Sequence, residues 1–417
     1  MSRYIVYIGD FDLRNENVQA HLVRNNGKIL NSLDFDVEYI GINRNESSFR
    51  TVDSFPPLRF DDSNYLELPY TLSISGLHKV PEICRRIIDR LDTISKKHGI
   101  SYVITYQSPT YAVAIKRIAA WCKKRKVPYL VNCADLPTFE LQSPVKKAVM
   151  KMNWAYLHKV NKKYADGIIA VSRYIDDFYK KPNRESVIIP PLFGTDDIDL
   201  TTLENDIPTF IYAGTPFVIT HREATPGGMK DRLDKVIDLF LLLSDAGVNY
   251  RFRIVGIEKN DYLDGVPRHA AALSDETRIE FCGRMSHGET LQAVSQADFS
   301  INYRDENLMT KAGFSTKIVE SVSVGTPVII NPISDTFLYL KDGKDGFSLS
   351  GDVDKDIRKL KSLCSMSRGE RSAMKQKLFN KKIFDVSKYK NVMDCFLHSV
   401  ATEEGKELKN DKKNKQK

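Results

Sequence analysis

The chain has 417 residues and a formal net charge of +8, with 42% hydrophobic and 28% charged residues. These proportions are typical of a globular protein, and no apolar run approaches the roughly 20 residues needed to cross a bilayer. The length exceeds one ordinary core and therefore predicts two domains. The six cysteines are scattered without a CxxC pair, which gives no support to a disulfide framework or a zinc site and favours a reducing cytoplasm.

The first half of the chain alternates between short apolar runs and longer amphipathic segments, as α/β proteins do. We predict strands at 4–8, 37–42, 102–106, 128–131, 167–171 and 187–189, and helices at 18–30, 80–98, 112–126, 145–164 and 172–179. Residues 46–76 contain prolines and are predicted to be irregular.

Polar side chains follow two of these strands, where ligands bind in open α/β sheets. The loop after the first strand contains Gly9, Asp10 and Asn17, and Asp135 follows the strand at 128–131. Ordinary loop chemistry is the alternative for the first loop, and a helix or turn cap is the alternative for Asp135.

The predicted helix at 145–164 is basic. It contains six lysines, interrupted by Trp154 and Tyr156. A solvated outer face and a peripheral contact with an anionic membrane both remain open. No basic motif is interleaved with aromatic residues, so we predict no nucleic-acid partner.

The second half repeats the α/β alternation after a polar stretch at 196–208, which we interpret as a linker. Strands are predicted at 209–213, 250–255, 278–281, 299–303, 328–330 and 347–349, and helices at 230–240, 289–295, 356–363, 367–377 and 386–400. Lys230 falls in the first turn of a predicted helix, where a cation is unfavourable unless an anion binds. A solvated lysine is the alternative.

The stretch 314–330 predicts a loop, a short helix and a buried strand. Ser315 is suited to capping the helix through its hydroxyl, whereas Gly325 and Pro327 end it. The apolar run 328–330 is typical of a parallel strand covered on both faces.

Lys317 and Glu320 are three residues apart and therefore share one face of this short helix. Backbone amides at the helix start, together with an ammonium, suit a phosphate, and a carboxylate suits a sugar hydroxyl. The combination predicts a sugar-nucleotide site. The alternative is an ordinary helix-to-strand unit with a surface ion pair.

These motifs, in this order, resemble glycosyltransferase family 4, the retaining GT-B enzymes of bacterial capsule, exopolysaccharide and lipopolysaccharide assembly. The segments that carry the resemblance are Tyr212-Ala213-Gly214, 230–234, 254–256, 279–284, 314–327 and 342–347, with 165–172 and 189–192 in the first half.

The resemblance implies an α/β GT-B fold with two doubly wound Rossmann-like domains whose parallel sheets face each other across a cleft. The expected boundaries are an acceptor-binding domain at 1–195, a linker at 196–208, a nucleotide-sugar-binding domain at 209–380, a C-terminal helix at 381–401 that crosses back to the first domain, and a disordered basic tail at 402–417.

The implied activity is transfer of a sugar from a UDP- or GDP-sugar to a glycan or lipid-linked acceptor, with retention of configuration and without a metal or other cofactor. It is expected in the cytoplasm or at the inner face of the cytoplasmic membrane. The implied site residues are Lys230, Asp135 and Arg304 for catalysis, Lys317, Glu320, Ser315, Thr316, Gly283, Arg284, Gly214 and Thr215 for the donor, and Gly9, Asp10 and Asn17 for the acceptor loop.

The chain also departs from the family pattern. The first of two motif glutamates corresponds to Ala312, and Thr215 stands where an arginine is common. Arg304 is our first choice for the missing charge, with Arg222 and Arg232 as alternatives. These departures leave two other functions open: a catalytically weak scaffold for another glycosyltransferase, and a sugar-nucleotide epimerase. The donor sugar, the base and the acceptor are not specified by the sequence.

Overall fold

Two groups of strands and helices pack into separate cores. A computed structural model describes residues 3–14, 17–43, 58–60, 63–69, 79–106, 112–136, 144–194, 205–217 and 231–401. The chain divides into a first unit, residues 1–192 with 386–417, and a second unit, residues 193–385. Within the described ranges, no helix is long and apolar enough to cross a bilayer.

Among the described residues of the first unit, eight strands form one sheet. In chain order its elements are β1 Tyr4–Gly9, α1 Val18–Ser32, β2 Asp36–Asn43, β3 Leu58–Phe60, β4 Ser63–Pro69, α2 Val80–Lys97, β5 Tyr102–Tyr106, α3 Ala112–Arg125, β6 Tyr129–Cys133, α4 Pro144–Tyr164, β7 Gly167–Ala170, α5 Arg173–Tyr179 and β8 Glu185–Ile188.

The strand order of this sheet is β3-β4-β2-β1-β5-β6-β7-β8. The β3–β4 pair is antiparallel, and each other pair of neighbours is parallel. The strands β1, β5, β6 and β7 are buried along their whole length, as expected when helices cover both faces.

The prediction of irregular structure over residues 46–76 is wrong for residues 58–60 and 63–69, which form β3 and β4. The strand β4 runs parallel to β2 and buries Tyr65 and Leu68. Residues 63–66 alternate between buried and partly exposed, and the terminal Pro69 obscured this strand pattern at the sequence level.

In the described part of the second unit, six strands form a sheet whose neighbouring pairs are all parallel. Its elements are β9 Thr209–Ala213, α6 Leu233–Asp245, β10 Arg251–Val255, α7 Lys259–Gly265, α8 Ala270–Ser274, β11 Ile279–Phe281, α9 His287–Gln296, β12 Phe299–Asn302, α10 Leu308–Ala312, α11 Thr316–Ser323, β13 Val328–Ile330, α12 Thr336–Tyr339, β14 Gly346–Ser348, α13 Val353–Cys364 and α14 Arg368–Asn380.

The last helix, α15 Lys390–Ala401, belongs to the first unit. The hydroxyl of Tyr102 donates to the carbonyl of Leu397 at 2.8 Å. The ring of Phe396 lies so close to Gly167 that a Cβ there would be 2.7 Å from it. The division falls at 192/193 and 385/386, so the described residues 205–208 are part of the second unit, and Asn205 donates to the carbonyl of Gln296.

The prediction that a helix starts at Lys230 is wrong, because α6 begins at Leu233. Lys230 itself lies outside the described residues. Arg232 precedes the helix, donates its backbone N–H to Tyr303 at 2.7 Å and pairs with Asp234. These contacts fix the chain entering α6.

The helix α11 ends as predicted. Gly325 has φ +79°, its N–H donates to Val322 and the next N–H, from Thr326, donates to Ser321. This pair of bonds satisfies carbonyls that the helix end leaves free. The strand β13 follows directly and is fully buried.

A buried charge cluster connects α14 to the sheet of the second unit. The Nε of Arg371 donates to Asp298 at 2.8 Å, with both side chains at most 2% exposed. Asp298 also accepts the backbone N–H of Thr209 at the start of β9. Nearby, the Nζ of Lys375 donates to the carbonyls of Ser295 and Ala297 and to a threonine hydroxyl.

We expect Arg371→Met to lower the free energy of unfolding by about 3 kcal/mol, because it leaves the buried Asp298 carboxylate without its cation. Arg368→Met on the same helix is the matched control. Arg368 is 48% exposed and pairs with a 92% exposed Asp206, so its loss should cost about 0.5 kcal/mol or less. Urea unfolding of both variants measures the difference, and equal costs would contradict this role of Asp298.

Candidate functional site

The sheet of the second unit has the order β11-β10-β9-β12-β13-β14, so its connections reverse direction between β9 and β12. In open parallel sheets such a reversal leaves a crevice at the carboxyl ends of the strands, where ligands bind. Gly214 directly follows β9, and Arg304 follows β12 by two residues. A ligand-binding site of the second unit is therefore expected in this crevice.

Glycines form the floor of this crevice. Gly214, Gly256 and Gly283 follow β9, β10 and β11 and have φ values of +147°, +110° and +67°. Gly256 donates its N–H to Gly283 at 2.7 Å, and a Cβ on Gly256 would lie 2.4 Å from the carbonyl oxygen of Gly214. A Cβ on Gly214 would lie 2.0 Å from the Nζ of Lys317. The absence of side chains lets Lys317 lie against the loop.

Asp231 is the centre of the site and is fully buried. It accepts hydrogen bonds from the hydroxyl of Tyr212 at 2.9 Å, from the Nε of Arg304 at 2.8 Å and from the Nζ of Lys317. Burial would raise the pKa of Asp231, but Lys317 and Arg304 outweigh burial and hold this pKa below its usual value. The carboxylate is thus ionised and orients both cations.

Two cations, Lys317 and Arg304, share the single carboxylate of Asp231. Lys317 is 26% exposed and Arg304 is 15% exposed, so both have an edge open to solvent. The backbone of Arg304 is clamped by Asn331, which accepts its N–H at 3.0 Å and donates to its carbonyl at 2.7 Å. A fixed, partly exposed positive charge of this kind favours anions.

Lys317 and Glu320 line one pocket, which we call the helix-face pocket and which also includes Ala213, His287, Ser300, Asn302 and Ser321. The Nε2 of His287 lies 3.3 Å from Oε1 of Glu320. Burial raises the pKa of Glu320, whereas His287 and Lys317 act against that rise. Lys317 forms an ion pair with the fully buried Asp231, which does not fit the alternative of a simple surface pair with Glu320.

A second pocket lies at the start of α11. This helix-tip pocket is lined by Asn302, Arg304, Thr310, Gly313, Ser315, Asn331, Ser334 and Thr336, among others. Ser315 occupies the N-cap position and Thr316 begins the helix, as predicted. The prediction that the Ser315 hydroxyl caps the helix is wrong, however, because its side chain makes no capping hydrogen bond.

The remaining predicted donor residues lie around the glycine floor or outside the described part of the chain. Gly283 packs against Glu258, whose Oε1 would be 2.2 Å from a Cβ at that position. Thr215 and Arg284 are exposed and directly follow Gly214 and Gly283. Lys230 lies outside the described residues, as does Arg222.

The predicted acceptor residues of the first unit gather at the reversal between β1 and β5. Gly9 pairs with Tyr106 so closely that a Cβ on it would lie 2.6 Å from the Tyr106 Cβ. Burial raises the pKa of Tyr106, and Asp135 and Asp10 add to this rise, so both carboxylates lie near the phenol. Asp10 is buried and Asp135 is exposed. Asn17 instead caps α1 by accepting the N–H of Ala20 at 2.9 Å.

Four residues of the second-unit site were missed by sequence reasoning: Tyr212, Asp231, His287 and Asn302. Asp231 stood beside Lys230 and was noted only as part of a motif. A single acidic residue just before a helix is more often a helix cap, so nothing in the sequence indicated that Asp231 is buried. His287 and Asn302 come from elements distant in the sequence, and only the sheet order brings them to Glu320.

Comparisons with known proteins support the same region. Residues 223–365 match the family described as glycosyl transferases group 1, which confirms a resemblance to glycosyltransferases over that segment. No curated protein matches the sequence.

Solved structures are similar over nearly the whole chain. The lipopolysaccharide outer core galactosyltransferase WaaB in its apo form is 13% identical with a TM-score of 0.60, covering 94% of this chain and 99% of that chain. Anabaena HepE in complex with UDP is 12% identical with a TM-score of 0.61, covering 95% and 99%. The α,α-trehalose 6-phosphate synthase from Burkholderia multivorans is 11% identical with a TM-score of 0.63, covering 96% and 99%. At these identities the similarity shows the fold, and the predicted GT-B fold is confirmed.

We expect Asp231→Asn to lower the free energy of unfolding at pH 7 by about 2–3 kcal/mol, because it removes the charge that two cations share. Because the folded-state pKa of Asp231 is lowered, its contribution is present above the unfolded pKa and is lost as the pH falls through the folded value. The difference in the free energy of unfolding between wild type and variant should therefore become smaller below about pH 4.

Asp305→Asn is the matched control. Asp305 pairs with Arg232 and Lys235 but is 42% exposed, so its loss should cost about 1 kcal/mol or less. Denaturant unfolding from pH 3 to pH 8 measures both variants. If the difference in the free energy of unfolding between wild type and Asp231→Asn did not change with pH, Asp231 would not be ionised in the folded protein.

Proposed function

We propose, from the match of residues 223–365 to the family of glycosyl transferases group 1, that the protein transfers a sugar from a nucleotide-diphosphate-sugar donor bound in its second unit. The observation that carries the proposal is the pair Lys317 and Arg304 around buried Asp231, beside Glu320 on the same helix as Lys317. The acceptor is a glycan or a lipid-linked sugar of cell-surface polysaccharide synthesis, and the anomeric configuration is retained.

The diphosphate of the donor binds at the start of α11. Amides near Ser315 and Thr316 and the positive end of the helix dipole face an anion there. Lys317 and Arg304 supply fixed positive charge at the same place. As the sugar–oxygen bond breaks, negative charge grows on the diphosphate, and donors already held in place stabilise that charge most. Lys230 is the further cation that the family resemblance assigns to this group.

The nucleoside end of the donor binds in the helix-face pocket. The carboxylate of Glu320 accepts hydrogen bonds from the ribose hydroxyls, and His287, 3.3 Å away, orients it. The loops of Gly283 and Arg284, with Gly214 and Thr215, frame the base and the phosphates. The structure of HepE with UDP-glucose makes UDP-sugars the first donors to test.

The acceptor binds at the strand reversal of the first unit. The carboxylates of Asp10 and Asp135 near Tyr106 are acceptors suited to sugar hydroxyls. Asp135 is exposed and therefore accessible to a bulky acceptor, for which it acts as a polar helper. Gly9 gives the loop its close approach to β5.

The helix α4 provides a peripheral contact with an anionic membrane, where a lipid-linked acceptor resides. Its sequence carries six lysines and no Asp or Glu. Val149 and Met152 on this helix are 60% and 73% exposed. The neighbouring helix α3 carries five cations and again no acid, and the Nζ of Lys116 lies 6.0 Å from the ring of Tyr156. Exposed apolar groups among cations suit an anionic bilayer surface.

We expect Lys151→Glu combined with Met152→Ser to weaken binding to phosphatidylglycerol vesicles at least about tenfold, since each cation near such a surface contributes about 1 kcal/mol. Co-sedimentation in 0.1 M salt measures this binding, with phosphatidylcholine vesicles as the neutral reference. Lys355→Glu, on an exposed face of α13, is the matched control. Equal sedimentation of wild type with neutral and anionic vesicles would contradict the membrane contact.

A thermal-shift screen tests the proposed function. UDP, GDP and their sugar conjugates are added to the purified protein, and a ligand at 100 times its Kd stabilises by about 2.7 kcal/mol. Lys317→Met should weaken the best ligand about 100-fold, the scale of one lost charge contact of about 3 kcal/mol. Lys355→Met, an exposed lysine outside the site, should keep the wild-type shift. We expect the ligand-induced thermal shift to be unchanged by EDTA, because cations of the protein neutralise the diphosphate.

Three outcomes separate the alternatives. Product formation that requires an acceptor supports the transferase, and conversion of the donor alone would indicate an epimerase. Donor binding with no turnover would support a catalytically weak scaffold for another glycosyltransferase. The buried Ala312 in place of a motif glutamate favours that interpretation. The absence of any nucleotide-induced shift would overturn the proposed function.

A further inference from the structure

The loop after β10 contains a carboxylate that has no polar partner among the described residues. Glu258 is the N-cap residue of α7, but its side chain makes no capping hydrogen bond. The residue is exposed, and its carboxylate makes no hydrogen bond or ion pair with any other residue that the structure describes. Replacing this side chain therefore removes no contact that holds α7 in place. Both carboxylate oxygens can accept hydrogen bonds from a ligand.

This carboxylate lies against the neighbouring loop, which follows β11. A Cβ built on Gly283 would be 2.2 Å from Oε1, 2.9 Å from Cδ and 3.2 Å from Oε2 of Glu258. The whole carboxyl group therefore covers this glycine rather than extending away into solvent. The backbone N–H of Gly256 donates to the carbonyl of Gly283 at 2.7 Å and joins the two loops. Glu258 is thus placed at the start of the loop that the proposed function assigns to the base.

The order of the proposed subsites matches the order of the parts of a nucleotide. The diphosphate is assigned to the start of α11, and the ribose to Glu320 on the second turn of this helix. His287, which lies 3.3 Å from Glu320, is the first residue of α9 and directly follows the loop 283–286. With the ribose at Glu320, a base on the side away from the diphosphate extends towards this loop, and its edge meets Glu258.

A carboxylate only accepts hydrogen bonds, and this limits the bases that it can recognise. Guanine presents two donors side by side, N1–H and an N–H of the 2-amino group, and their spacing matches the two oxygens of a carboxylate. Uracil presents one donor, N3–H, between two carbonyl oxygens that repel a carboxylate. In adenine and cytosine, the amino group stands beside a ring nitrogen that is itself an acceptor. Guanine is therefore the base that satisfies both oxygens of Glu258.

We propose that Glu258 selects guanine and that the donor is consequently a GDP-sugar. Bound uracil would cover the same carboxylate without supplying two donors, and a charged group that loses water without gaining a partner is costly. This inference rests on the proposed function, since it requires a nucleotide in the second unit. HepE, at 12% identity, shares the fold, so the UDP in that structure does not determine the base bound here.

Calorimetric titrations of the full chain with GDP, IDP and UDP test the selection. IDP has the same purine ring and the N1–H of guanine, but it lacks the 2-amino group. Wild type should bind GDP about tenfold or more tighter than UDP. It should also bind GDP about tenfold tighter than IDP, because IDP loses one hydrogen bond to a charged group.

Glu258→Gln keeps the side-chain size and replaces one acceptor oxygen with an NH₂ donor. It should weaken GDP binding about tenfold or more and leave the Kd of UDP within about twofold. The preference for GDP over IDP should fall to about threefold or less, because only one acceptor remains. A merely structural effect of the substitution would weaken all three nucleotides by the same factor.

Asp264→Asn is the matched control. Asp264 is an exposed residue of α7, and its replacement removes the same unit of negative charge as Glu258→Gln. That charge acts on the diphosphate, which GDP, IDP and UDP share, so their Kd values should change by a common factor. The ratio of the UDP Kd to the GDP Kd should therefore keep its wild-type value.

The outcomes separate this inference from the proposed function. Equal binding of GDP and UDP by wild type, or tighter binding of UDP, would overturn the selection of guanine and leave the proposed function standing. An unchanged ratio of the UDP Kd to the GDP Kd in Glu258→Gln would do the same. If wild type binds none of the three nucleotides, both the proposed function and this inference are overturned.

Discussion

The site depends on one buried carboxylate. Asp231 is fully enclosed, and it remains ionised because Lys317, Arg304 and the hydroxyl of Tyr212 all donate to it. Without that charge, two cations would lie side by side in a partly buried crevice and repel each other. With it, both cations are held at fixed positions at the carboxyl edge of the sheet.

The backbone around this cluster also helps to hold the two cations in place. Gly214 has no Cβ to displace Lys317, and Gly256 lets the next loop close against Gly214. Asn331 fixes the backbone of Arg304 from the far side. These contacts hold the two cations in place without a ligand, which would lower the cost of ordering them if the proposed diphosphate binds. The site lies where the strand order reverses, as sheet topology alone leads one to expect.

Much of the fold follows from pattern, since the fully buried strands read as apolar runs and the long helices as amphipathic segments. Residues 63–69 were missed because Pro69 resembles a strand breaker and because the pairing with β2 is not local in the sequence. In the site, Lys317 and Glu320 were predictable, because helix geometry places residues three apart on one face. Asp231 was not predictable, because its role depends on partners 73 and 86 residues away. Ser315 was assigned as a cap on local grounds, but the structure leaves its hydroxyl without that bond.

The most direct measurement is a crystal structure of the protein with a bound nucleoside diphosphate, UDP or GDP. The account predicts that the diphosphate oxygens lie within hydrogen-bond distance of Lys317 or Arg304 at the start of α11, and that the ribose contacts Glu320. Asp231 should still accept from at least one of the two cations. A nucleotide bound elsewhere, with the Asp231 cluster and the helix start untouched, would contradict the account.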